Sequence, residues 1–141
     1  MFRLVYYSHS TIPTERRQEV LANIFDVARS KNKKIGVTGA LLITDHWFVQ
    51  TLEGDEATVT SLFDHISGDT RHERVSVVET GLVEGRTFAR WSMAQVSKSG
   101  HADIPLHNVG GRIHSAAGSN QTEAQRALLT RMRNVIGADT V

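Results

Sequence analysis

The feature that most limits how this chain can fold is the order in which its hydrophobic periodicities change. Arg3 to Tyr7 is a short run rich in Val, Leu and Tyr and reads as a buried strand. After a Ser/Thr/Pro loop from Ser8 to Thr14, with Thr14 as N-cap and Glu15 in the first turn, Val20, Leu21, Ile24, Val27 and Ala28 recur at helical spacing. That helix runs into the basic stretch Arg29 to Lys34, with Asn32 following it. Val37 to Thr44 and Trp47 to Leu52 alternate as strands, and the break at Asp45-His46 makes them a hairpin. Asp55 caps a second helix with Val59, Leu62, Phe63 and Ile66 inward and Gly68 near its end. Strand patterns return at Val75 to Leu82 and Phe88 to Val96, joined by the turn-prone Glu84-Gly85.

The order is β-α-β-β-α-β-β. It predicts an α+β, ferredoxin-like sandwich: a mixed sheet carrying two helices on one face, with one added strand. From Lys98 to Asn120 the composition turns to Ser, Gly, His and Asn, which predicts a loosely ordered connection. A last helix recovers spacing through Ala124, Leu128, Met132, Val135 and Ile136, with Gly137 as its stop. Alone in water so short a helix is unstable, so its stripe must dock on the sheet, on another copy or on a partner. The chain is thus expected to divide into a domain over 1–97 and an extension over 98–141.

Composition removes several function classes. The 16 Lys+Arg and 15 Asp+Glu leave a formal charge of +1, too little to attract nucleic acid or an acidic membrane strongly. Without cysteine there is no disulfide scaffold, thiol nucleophile or Cys-ligated metal. The seven histidines show no paired helical spacing, so no metal site is expected and they are read as solvent-exposed. No serine sits in a G-x-S-x-G elbow, and neither a Walker nor a dinucleotide fingerprint occurs. No run approaches the roughly 20 apolar residues of a membrane helix, and MFRLVYYSHS lacks the features of a signal peptide, so a soluble cytoplasmic protein is expected.

What remains is polar or aromatic residues at core-like positions. In Phe48-Val49-Gln50-Thr51-Leu52 the alternation turns Gln50 toward the helices together with Phe48 and Leu52. An unpartnered amide there would cost about 1–3 kcal/mol. Its partner is the backbone, Tyr6, a water or a ligand. Asp69-Thr70-Arg71-His72 follows the second helix and either complements its dipole or lines an anion or polyol site.

Together, RLVYYS, Asn32 with VTGALL, FVQTLEG, DTRH and RTFARWSM resemble the BLUF family of flavin-based blue-light sensors, over about Phe2 to Ser97. The resemblance implies that Tyr6, two before Ser8, is the phenol that donates an electron and a proton to the excited flavin; Tyr7 is not. It implies that Gln50 bridges Tyr6 and the flavin N5/O4 edge, and that Asn32 binds the polar rim of the ring. Ile24 and Ile66 match the aliphatic pair gripping its faces. Asp69, Arg71 and His72 match positions lining the ribityl and ring region, and Ser8, Lys31 and Phe48 join the cofactor-binding set. Trp91 and Met93 match the switching strand, the expected route of signal output. Two departures are Ala28, where many members carry Ser, and Lys31, where Asn, Arg or His is usual.

The implied function is a non-enzymatic photoreceptor holding FAD, with FMN tolerated, in which rotation or tautomerisation of the Gln50 amide follows light. Its signal would pass to a separate effector, by analogy a cyclic-dinucleotide phosphodiesterase or a transcriptional regulator, with a homo-oligomer expected. The alternatives are a flavin-dependent oxidoreductase and a light-indifferent interaction module on the same fold.

Overall fold

The structure is a computed structural model and describes residues 1–99, 102–109, 112–115 and 122–137. Its elements are β1 (Phe2–Ser10), α1 (Arg17–Ile35), β2 (Thr38–Ile43), β3 (Trp47–Gly54), α2 (Glu56–Ser67), β4 (His72–Leu82), β5 (Ala94–Ser97), β6 (Ile104–Val109), β7 (Arg112–Ser115) and α3 (Glu123–Ile136). Among the described residues the strands form one mixed sheet in the order β4-β1-β3-β2-β5-β6-β7. Strands β4, β1, β3 and β2 have the expected ferredoxin-like arrangement, and β5 adds parallel to β2.

The front face carries α1 and α2. Phe25 from α1 and Val59 and Leu62 from α2 pack against Leu4, Tyr6, Leu41, Phe48 and Leu52 of the sheet. The cap expected at Asp55 is present, its carboxylate accepting the Thr58 N–H. Helix α3 lies against the back face, where Leu128, Leu129 and Met132 meet Val5, Ala40, Leu42 and Val49. Of the three docking options for the last helix, its own sheet is the one seen. No helix among the described residues is long and apolar enough to cross a membrane.

Several expectations need correction. Thr14 begins a 3-10 turn, Thr14–Arg16, and caps no helix with its side chain. Helix α1 continues through the basic stretch to Ile35, so Asn32 lies inside it and is buried. Gly36 ends it in the left-handed region at φ 72°, a conformation that costs glycine little. Val27, expected inward, is exposed. Strand β4 begins at His72 rather than Val75. The stretch expected as a connection contains β6 and β7, because β6 pairs in parallel with β5 and extends the sheet. On α3 the buried stripe is Gln125, Leu128, Leu129, Met132 and Arg133, leaving Ala124 exposed.

The largest correction concerns the strand expected at Phe88 to Val96. Only Ala94–Ser97 is a strand. The apolar residues ahead of it do not alternate on one surface: Phe88 and Trp91 belong to the back core and Met93 to the front. The segment thus passes from one side of the sheet to the other, and its hydrophobicity reflects burial on both sides.

Candidate functional site

Between α1 and α2, above the sheet, lies an open slot of about 830 Å³ counting its mouth. Its floor is set by strand register. Tyr6 of β1 stands opposite Gln50 of β3, and Gln50 opposite Leu41 of β2, so all three side chains reach the same face.

The Tyr6 hydroxyl donates to Gln50 Oε1, and Gln50 Nε2 donates to Met93 Sδ at 3.3 Å. Tyr6 and Gln50 are 3% and 5% exposed, so both groups depend on these partners or on a ligand. Gly39, across the hairpin, is required here: a Cβ would run into the Thr51 carbonyl beside Gln50. Burial pushes the Tyr6 phenol well above its usual value of 10.0, and the nearby Asp69 charge pushes the same way. Tyr6 therefore stays protonated at any ordinary pH.

Asn32 lines the slot from α1 and donates through Nδ2 to the Ser92 carbonyl at 2.9 Å. Its Oδ1 meets no donor among the described residues. At the other end, Asp69 accepts the Arg71 backbone N–H and Nε, each at 2.9 Å, and pairs with Nη2 at 2.5 Å. Arg71 Nη1 then reaches Asn23 on α1 at 3.2 Å, tying the two helical sides together. These hydrogen bonds from Arg71 hold the Asp69 carboxyl at about 2, against the opposing effect of burial. Hydrogen bonding to Asp69 in turn raises Arg71.

His72 is buried, contrary to the expectation of exposed histidines. Its Nε2 lies 2.7 Å from the Ile66 carbonyl, which can only accept, so that nitrogen carries the proton. Its Nδ1 is 2.7 Å from Ser8 Oγ. Ser8 is fully buried behind the ring; it fixes His72 and does not itself line the slot.

Of the other expected residues, Ile24, Lys31, Phe48 and Ile66 line the slot together with Tyr6, Asn32, Gln50, Asp69, Arg71 and His72. Met93 stands behind Gln50, and Trp91 packs near Phe88 on the opposite face, their ring centroids 6.5 Å apart. Sequence reasoning missed Leu41, Leu62, His65 and Val27 as lining residues. Leu62 lies one helical turn before Ile66, and Val27 three residues after Ile24, so helical spacing carried that signal.

Glu53 was missed as well. This fully buried carboxylate accepts from Thr87 N at 2.6 Å, Phe88 N at 2.9 Å and Thr38 Oγ1 at 3.0 Å. It anchors the start of the segment that leads to Trp91 and Met93. An acid within the FVQTLEG strand, at a back-facing position, was the available clue.

A slot walled by isoleucines on two helices, with two amides and a phenol along its inner side and a free amide oxygen at Asn32, fits a flat apolar ring with one polar edge. That is the shape and polarity of a flavin. A sequence profile of BLUF, described as sensors of blue light using FAD, matches residues 1–94. The photoactivated adenylate cyclase subunit alpha of Euglena gracilis is 42% identical over 101 residues, covering 72% of this chain and 10% of that protein. The chain thus spans about a tenth of the length of that relative. The photo-activated state of BlsA superposes with a TM-score of 0.67 at 33% identity, covering 70% of this chain and 71% of BlsA. BlrB, a BLUF protein in its dark state, gives a TM-score of 0.66 at 32% identity over 69% of this chain and 72% of BlrB. With the slot, the fold and these matches agreeing, the chain belongs to the BLUF family of blue-light sensors that use FAD.

Proposed function

We propose that Tyr6 and Gln50 are the switch of this sensor, that Ile24, Ile66 and Asn32 hold its flavin, and that the signal leaves through Met93 and Trp91. The observation that carries this reading is the hydrogen bond from Tyr6 to Gln50 at the inner wall of the slot. A bound flavin supplies an electron acceptor that becomes strong on absorbing blue light.

The chain's own residues do the rest. Tyr6, kept protonated by burial, can release both an electron and a proton. Gln50 holds its acceptor end toward Tyr6 and its donor end toward Met93. If the amide ends exchange, Nε2 meets the Tyr6 oxygen, which can accept, while Oε1 meets a thioether, which cannot donate. Met93 must then move. One hydrogen bond is worth about 1 kcal/mol net, enough to shift a nearly balanced pair of states but not to remake a fold.

The matching family is described as a sensor, which supports reading this domain as one with no reaction of its own. The cyclase relative, roughly ten times the length of the matched segment, couples such a domain to a light-activated enzyme. By analogy this chain addresses an effector, a cyclic-dinucleotide phosphodiesterase or a transcriptional regulator being the classes favoured.

The test is Tyr6→Phe. The variant should bind flavin yet lose the reversible red shift of its absorption under blue light. A normal light-dark cycle in that variant overturns the donor role.

A further inference from the structure

Three successive carbonyls ahead of β5 are held by three different groups. Gly39 N–H donates to the Trp91 carbonyl at 3.2 Å, Asn32 Nδ2 to that of Ser92 at 2.9 Å, and Arg29 Nε to that of Met93 at 3.1 Å. Arg29 and Asn32 are three apart on α1, hence on one helix face. Arg29 also reaches past this segment. Its Nη2 pairs with Asp103 Oδ2 at 2.6 Å, and that oxygen accepts the Gln95 N–H of β5 at 2.8 Å. The guanidinium lies 5.0 Å from the Phe25 ring centroid, which holds its plane in place.

One planar fork therefore grips the Met93 backbone with one arm and a carboxylate with another. Asp103 lies beyond the residues matched to the family, so the pair joins the sensor domain to the strands that follow it. Arg29 is not among the residues lining the slot, and among the described residues its side-chain hydrogen bonds go to Met93 and Asp103, not to Tyr6 or Gln50.

We propose that Arg29 and Asp103 form a latch that positions Met93 against Gln50 and reports its departure to the β5–β6 connection. Arg29 is a positioning residue in this role. Withdrawal of Met93 takes its carbonyl from Nε, and a rigid guanidinium cannot follow while Nη2 remains on Asp103. Either the ion pair or the Met93 contact must yield. The inference rests on the reading of Gln50 and Met93 as switch and output.

Arg29→Lys keeps the charge but loses the fork, and Asp103→Asn keeps an acceptor for Gln95 but loses the charge. The methyl groups of Met1, Met93 and Met132 can be followed by carbon-13 labelling in the dark, with and without flavin. In either variant the Met93 resonance should shift or split while Met132, on the back of the sheet, stays in place. Dark recovery should slow by about two- to tenfold, since the variants lack the charge-assisted hydrogen bond that favours the return of the segment in the wild type. The double variant should be no slower than the more affected single one. An unmoved Met93 methyl, or recovery that is unchanged or faster, overturns the latch. A shift of Met132 equal to that of Met93 marks general repacking and also counts against it. A wild-type protein with no light response would instead sink the Gln50 switch, and the flavin-free methyl measurement would still test the latch independently.

Discussion

The Nε2 of Gln50 lies 3.3 Å from the Sδ of Met93, so the amide at the centre of the slot rests on a weak acceptor while its other end takes the Tyr6 hydroxyl. The two ends are held unequally. A phenol makes a strong partner and a thioether a poor one, so only a weak bond holds the donor end of the amide in place. Met93 responds to the choice because it arrives on a segment tethered through its backbone rather than through a strand ladder.

Gln50→Leu removes both contacts with little change in volume. The variant should still bind flavin and should lose the reversible red shift. Light-minus-dark absorption spectra of the flavin-loaded protein check this.

Glu53→Gln should destabilise the protein although it changes no side-chain volume. The carboxylate accepts two backbone N–H groups and a hydroxyl, whereas an amide presents N–H to at least one of those donors. A buried donor left unpaired costs about 1–3 kcal/mol. Urea unfolding should show a lower midpoint at an unchanged slope.

The Asp69–Arg71 pair sets an acid limit. The Asp69 carboxyl is held at about 2 in the fold, below its ordinary 3.8, so the ionised form stabilises the native state above the ordinary value. That contribution fades as pH falls from about 4 toward about 2. Both side chains are about a third exposed, so the effect is small and screened by salt. The melting-temperature difference between wild type and Asp69→Asn should be constant near neutrality and shrink below about pH 4.

Leu129→Ala tests the back face. Leu129 is fully buried between α3 and the sheet, and truncation should cost about 2–5 kcal/mol. Flavin affinity should be unchanged, because the slot lies on the other face. Denaturation and flavin titration, run on the same variant, separate the two.

Much of this architecture was legible before any coordinates. Tyr6 was picked out by the resemblance of RLVYYS to the family, whereas strict alternation in β3 placed Gln50 with Phe48 and Leu52. A period of two leaves no other option once one neighbour is buried. Asp55 announced α2 because capping is local chemistry. The segment from Phe88 to Met93 was misread because its apolar residues serve both sides of the sheet, and a pattern shared between two cores resembles a strand. Asn32 was placed after a helix that in fact contains it, since a basic stretch and a following glycine mark an end without fixing where it falls.

By itself, then, the amino-acid order determined that Gln50 shares a face with Phe48 and Leu52 and where α2 begins, and only its family resemblance linked Gln50 to Tyr6. Only the folded chain decided that Met93 rather than Trp91 backs Gln50, that Ser8 steadies His72, that Glu53 anchors a loop, and that α3 closes the rear of the sheet. Periodicity is written over a few neighbouring residues, whereas each of these contacts joins groups far apart along the chain, and their meeting depends on how whole elements pack.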